Sequence, residues 1–346
     1  MAYQLENRLV IGVSSSALFD LKESDEYFLE HGEEKYRTYQ DEHIDDTLQP
    51  GVAFPFIQRL LSLNDLRDSA DPLVEVLVLS KNDPSTGLRV MRSVAAHKLQ
   101  ISRAVFTQGK SPYEYVEAFD MSLFLSGNRQ DVDAAIERGF PAGHVLPSTA
   151  IYTGGDSLRV AFDFDGVLGD DEAERVYQEN PGDISKYYAY ETLNRERPLA
   201  PGPLQRLLQD LNMIQKIETA RKESDPAYQP RLRISLITAR SAPAHERAVR
   251  SLSGWGVTVN DAFFLGGIEK SKVLKVMRPH IFFDDQTTHL TPSAGFAAGV
   301  HVPYGVTNET TDLSEESSTL AVDLVSPETS ATSAHELHPV DVEHHS

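Results

Sequence analysis

Two aspartates one residue apart close a short apolar run in LRVAFDFDGVLGDD, residues 158–171. Val160, Ala161 and Phe162 are enough for a buried strand, so both carboxylates leave its carboxyl end. Side chains alternate along extended backbone. Asp163 and Asp165 therefore share a face, Phe164 turns away, and Gly166 permits close backbone approach. Carboxylates this close do not both stay ionised unless a cation or a shared proton intervenes, which makes sense of the pair if Mg²⁺ sits there. D-x-D alone is common in turns and calcium loops. Its weight here comes from three further strand ends downstream, which present Thr238, Lys270 (at a helix start) and the Asp284–Asp285 pair. One carboxylate can attack phosphorus, a hydroxyl and an ammonium can hold phosphoryl oxygens, and the remaining acids can hold Mg²⁺, cancelling repulsion between nucleophile and phosphate.

Strands alternating with helices must position these groups. In the second half, strands are expected over 159–162, 233–237, 262–265 and 280–283, with a turn and helix over 201–215 and helices over 244–252 and 271–277. This rhythm implies a parallel sheet with ligands at the carboxyl ends of its strands. The first half runs in the same order. Strands are expected over 8–13, 73–79, 101–106 and 121–125, helices over 23–46, 113–118 and 130–138, a turn and helix over 50–63, and a linker over 147–157. IGVSSSALFD aligns with VAFDFDGVLGD, PGVAFPFIQRLL with APGPLQRLLQDL, and VLVLSKNDP with SLITARSAP. The fold class is therefore α/β: two Rossmann-like, doubly wound parallel-sheet domains, the first a degenerate copy of the second. Ser14 and Ser16 stand where Asp163 and Asp165 stand, and Ser126 and Gly127 where Asp284 and Asp285 stand. Hydroxyls lack the negative charge a hard divalent cation needs, so the first copy is expected to be a scaffold, a dimerisation surface or an effector site.

A length of 346 residues suits two domains at about 150 residues each. The expected boundaries are 1–150, 151–306 with an insert at about 172–199, and an acidic, disordered tail over 307–346 with one short helix at 312–325. The absence of cysteine excludes disulfides, thiolate catalysis and cysteine-ligated zinc. No apolar run approaches the roughly 20 residues of a membrane span, and the amino terminus lacks a signal peptide's basic start and apolar core. A soluble, cytoplasmic protein with no membrane partner is expected. The net charge of −20, with no basic stripe, disfavours nucleic acid.

The order D-x-D-G-V, a strand ending in Thr, then Lys, then a strand ending in D-D resembles the haloacid dehalogenase superfamily of phosphohydrolases. Within it, LITARSA, RPHIFFDDQ and HVPYG, with SSSALFDL and FPFIQRLLSLN in the first half, resemble the cytosolic 5'-nucleotidase type I family over residues 10–305. The resemblance implies Mg²⁺-dependent hydrolysis of nucleoside 5'-monophosphates, AMP above all. Asp163 would be the nucleophile forming an aspartyl-phosphate. Asp165 would protonate the departing ribose 5'-oxygen and then activate water. Thr238 and Lys270, with Gly166 and Ala239, would bind phosphate. Asp163, the backbone carbonyl of Asp165 and one or both of Asp284 and Asp285 would ligate Mg²⁺, Asp285 being favoured as the direct ligand. The first motif departs from the family's D-G-D-A; the aspartates persist, and only loop shape and substrate fit are affected.

Other residues carry competing readings. Arg240 could touch phosphate or sit in an ion pair, and Lys272 competes with Lys270. His245, His280, His289 and His301 lack metal-ligand spacing and read as structural. The insert at 172–199 falls between the first and second motifs, where the resemblance implies a small cap over the active site, and its tyrosines 177, 187, 188 and 190 could stack on a base or pack in a core. The first half could bind ADP or ATP as an effector, and a homo-oligomer is compatible with the sequence. The competing functions are a phosphatase of the same superfamily acting on another small phosphate ester, and a nucleotide-binding regulator without turnover.

Overall fold

The computed structural model describes residues 5–309, apart from 153 and 182. Ten strands form one sheet: β1 (Leu9–Ser14), β2 (Val74–Ser80), β3 (Arg103–Phe106), β4 (Leu123–Ser126), β5 (Ala142–Val145), β6 (Leu158–Phe162), β7 (Leu232–Thr238), β8 (Asp261–Phe264), β9 (Ile281–Asp284) and β10 (Gly299–His301). Their order is β3-β2-β1-β4-β5-β10-β9-β6-β7-β8. All neighbours are parallel except β5 and β10, which run antiparallel with Val145 opposite Val300 and His144 opposite His301. Each half thus repeats one order outward from the seam, and β6 holds the place in its half that β1 holds in the other.

The halves do not stand apart as two separate sheets. In β1, Leu9, Ile11 and Val13 face a core that also holds Val160 and Phe162 of β6 and Ile281 and Phe283 of β9. The alternate residues face two local cores, Val10 and Phe124 in one, Ala161 and Phe282 in the other. Strands buried on both faces read as near-continuous apolar runs, as LVIGV in β1 and VLVL in β2 do. The shared face is covered by the helices Phe54–Ser62 and Gln205–Ser224, which supply Phe56, Ile57 and Leu60 from one half and Leu207, Leu208 and Leu211 from the other. Salt bridges join the halves at Arg206–Asp120 (2.6 Å) and through Arg231 to Asp65 (3.0 Å). The expected linker lies against the second half, where Ser148 Oγ donates to Ala294 O at 2.8 Å and Tyr152 Oη to Pro279 O at 3.0 Å.

Two strands, one helix and the start of the tail differ from expectation. β5 and β10 went unread because four-residue and three-residue strands carry too little periodicity. The helix Gly87–Ala96 was also missed. The expected insert contains the helices Glu172–Gln178 and Ile184–Leu193. The tail does not begin at 307: Val306–Glu309 is helical, and Thr307 and Asn308 bond to Asp285. The remainder of the expected tail, with its short helix, lies outside the described residues.

Candidate active site

β6, β7 and β9 are neighbours, and their carboxyl ends deliver most of the site. Asp163 follows β6 and continues its ladder, its amide donating to Phe283 O at 2.8 Å. The chain then turns sharply, with Leu168 N and Gly169 N both donating to Phe164 O at 3.0 and 2.8 Å. Gly166 sits at φ 71°, and a Cβ there would lie 3.0 Å from the Asp285 carboxylate, so this position needs glycine on two counts. The turn is fastened to the chain returning from the insert: Gly202 N donates to Leu168 O (2.8 Å) and Leu204 N to Val167 O (2.9 Å). The insert thus leaves and re-enters the core at one point.

Lys270 opens the helix Lys270–Met277 and is only 3% exposed. Its Nζ lies 2.6 Å from Asp163 Oδ2 and 2.7 Å from Asp284 Oδ2. Asp284 closes β9, and its other oxygen accepts from Gln286 N (2.9 Å) and His289 Nδ1 (3.0 Å). Thr307 Oγ1 donates to Asp285 Oδ2 at 2.8 Å, while His301 Nε2 and Asn308 Nδ2 both donate to the Asp285 carbonyl, at 3.0 and 3.1 Å. Asp285 Oδ1 is buried without a hydrogen-bond partner.

Burial raises the Asp163 carboxyl to about 6, with the Asp284 charge adding to it and Lys270 opposing. Asp285 is pushed well above the carboxylate range, first by burial and then by Asp284 and Asp163. Burial also favours a neutral Asp284, but Lys270 and His289 outweigh it and hold that carboxyl low. For Lys270, burial is outweighed by Asp163 and Asp284, which keep it ammonium. Three buried carboxylates against one lysine leave negative charge in excess. Asp163, Asp284 and His289 each offer a ligand atom, all within 4.8 Å of one another, and the orphaned Asp285 oxygen sits close by in the chain. Hard oxygen donors with uncompensated charge fit a divalent cation.

Asp165 is held from another side. Arg240, two residues beyond β7, grips it with Nε on Oδ2 (2.8 Å) and Nη2 on Oδ1 (2.6 Å), and lies 5.1 Å from the Phe164 ring centroid. Arg240 is therefore ion-paired to a site carboxylate. Thr238 closes β7 in a buried position, its Oγ1 accepting from Arg240 N at 3.2 Å, while Ala239 is exposed. Lys272 is solvated and pairs with Glu269 at 3.9 Å. Lys110, aligned with Lys270 in the first half, is also exposed. In that half, Ser14 Oγ accepts from Gly127 N (3.2 Å) and meets Ser16 Oγ (3.1 Å), so hydroxyls and amides satisfy one another where the second half gathers charge.

Sequence reasoning set His289 aside as structural and missed Thr307 and Asn308, and also Glu191, which Arg240 holds, with Arg247 and Glu172 beyond it. His289 lies one helical turn past the D-D pair, which is a signal of a kind. The position of Thr307 two residues after HVPYG is another, masked by the polar composition that follows. Tyr188 Oη meets Ser241 Oγ at 2.9 Å and Tyr190 Oη donates to Glu172, so two insert tyrosines are spent on holding the insert.

The class is defined by fold and site together: an α/β protein with one ten-strand, mostly parallel sheet and a buried carboxylate–lysine centre at its carboxyl edge. A sequence profile described as 5'-nucleotidase matches residues 1–309, and the chain belongs to that family. Human "Cytosolic 5'-nucleotidase 1B" is 35% identical over 291 residues, covering 82% of this chain and 47% of that protein. The chain thus spans about half the length of that curated relative. No solved structure matches it.

Proposed function

We propose that this chain hydrolyses nucleoside 5'-monophosphates, AMP foremost, to nucleoside and phosphate. The observation that carries this is Lys270 buried between Asp163 and Asp284, beside the orphaned Asp285 oxygen. Asp163 is the nucleophile: its carboxylate forms a bond to phosphorus as the bond to the ribose 5'-oxygen breaks. Lys270 orients that carboxylate and, with the Thr238 hydroxyl and the backbone around Gly166 and Ala239, receives the phosphoryl oxygens. Asp165 gives a proton to the leaving oxygen, then takes one from the water that splits the aspartyl-phosphate. It must release part of the Arg240 fork to do so. Asp163, the Asp165 carbonyl and Asp285, with Asp284 behind them, would hold Mg²⁺, which supplies charge neutralisation between the anionic nucleophile and the phosphate.

The first half is read as a degenerate copy of the catalytic half and the body as two haloacid dehalogenase-like domains sharing one sheet. The common strand order supports this, as does a common closure at the base of each insert. Phe19 bridges Pro50 as Gly169 bridges Pro201, and a Cβ on Gly51 or Gly202 would strike backbone at 2.8 or 2.4 Å. An ADP or ATP effector on that half, and homo-oligomers, belong to the same reading. Among the described residues no helix is long and apolar enough to cross a membrane, and a cytoplasmic location accords with the name of the human relative. The experiment is phosphate release across ribo- and deoxyribonucleoside monophosphates and sugar phosphates with Mg²⁺. Preference for nucleoside 5'-monophosphates is expected; equal rates on sugar phosphates would favour a general small-ester phosphatase, and no release a regulator without turnover.

A further inference from the structure

Behind Asp165 the structure contains a chain of buried charges to which the reaction just described gives no role. Glu191, on the insert helix Ile184–Leu193, is 1% exposed and divides its carboxylate between two arginines. Oε2 accepts from Arg240 Nη1, and Oε1 from Arg247 Nη1 at 2.8 Å. Arg247 is fully buried, with Nε donating to Arg197 O at 2.9 Å and Nη2 to Glu172 Oε1 at 3.2 Å. The alternation Asp165–Arg240–Glu191–Arg247–Glu172 thus runs from the proposed acid–base group into the insert. Its two insert carboxylates sit near opposite ends of that insert, one at the start of Glu172–Gln178 and one on the second helix.

Arg240 has all its nitrogens committed: Nε and Nη2 to Asp165, Nη1 to Glu191 and to Ala244 O at 3.1 Å. A planar guanidinium transmits orientation, since turning one edge turns the other. We infer that Glu191 is a positioning residue, setting the angle of the Arg240 fork and through it the carboxylate of Asp165, so that docking of the insert aligns the group that protonates the leaving oxygen. Without Glu191, two buried arginines face each other unbridged. The fork loses its anchor, and the charge Arg240 shared between two carboxylates falls on Asp165 alone.

This inference rests on the proposed hydrolysis and is tested separately from it. A group that acts by helping the leaving oxygen depart matters for an alkyl ester and little for an aryl ester, whose phenolate departs unaided. The measured quantity is kcat/KM, which covers the steps through departure, for AMP and for 4-nitrophenyl phosphate. Glu191→Gln, checked for folding by circular dichroism, is expected to lose at least about tenfold on AMP and less than about threefold on the aryl ester, since acid–base assistance contributes about 10²–10⁴. Glu191→Asp, which keeps the charge but shortens its reach, is expected to show a smaller loss with the same selectivity and serves if Glu191→Gln does not fold. In an Asp165→Asn background, Glu191→Gln is expected to cost nothing more on AMP, because its effect is transmitted through Asp165. Equal losses on the two esters, or losses that multiply in the double variant, would overturn the inference. Absence of phosphate release by the wild-type protein would instead overturn the hydrolysis itself.

Discussion

At the scale of single residues, the site is a problem in compensating buried charge. Lys270 touches both Asp163 and Asp284, at 2.6 and 2.7 Å, while His289 reaches Asp284 alone, and both carboxylates are almost wholly buried. Lys270→Met keeps the length and removes the charge. It is expected to lower stability by about 3–5 kcal/mol in denaturant titration without added metal, the usual cost of breaking a buried pair. It should also abolish most phosphate release; a variant as stable and as active as the wild type would show that Lys270 is incidental. The carboxylates and the lysine were legible from residue type and spacing. The arginines and glutamates behind Asp165 were not, because Glu172, Glu191, Arg240 and Arg247 make contacts 49 to 75 positions apart that no local pattern announces. The resemblance to a family supplied roles; it could not supply the partner of Arg240.

At the scale of elements, the strands that end in chemistry were legible and the strands that join the halves were not. β6 and β7 read clearly because apolar runs stop at Asp163 and at Thr238. β5 and β10 contribute AGHV and GVH, too short for any periodicity, yet their pairing turns two half-sheets into one. That seam leaves no spare volume. A Cβ on Gly143 would come within 2.3 Å of Val300 Cγ1, so Gly143→Ala is expected to cost about 1–3 kcal/mol in thermal or chemical unfolding, as overpacked sites do. An unchanged stability would mean that the seam can open without loss. The seam also sets His144 opposite His301, and each histidine donates to the loop after the neighbouring strand: His144 to Gly127 O at 3.2 Å, His301 to Asp285 O at 3.0 Å. The loop carrying Asp285 is thereby tied to the joint between halves.

At the scale of the molecule, two halves share one sheet and one core, and the second gathers Asp163, Asp284 and Asp285 in buried positions at the strand ends where the first has Ser14, Ser126 and Gly127. Folding brings Asp163, Asp284 and Asp285 together at a cost that a bound cation would offset. Asp163 is raised to about 6 and burial pushes Asp285 up as well, so protons compete with a cation for these oxygens in acid and withdraw as the pH rises. The increase in Tm on adding Mg²⁺ is therefore expected to be larger at pH 7.5 than at pH 5, and to vanish with a chelator. An increase that is independent of pH would place the ion elsewhere. The central claim is that Asp163 attacks phosphorus, and it is tested most directly by phosphate release from AMP with wild-type protein and with Asp163→Asn, both confirmed as folded. The account predicts steady release by the first and a loss of at least about 10³-fold in the second, the scale seen when a nucleophile is removed. Release by Asp163→Asn at the wild-type rate would contradict it.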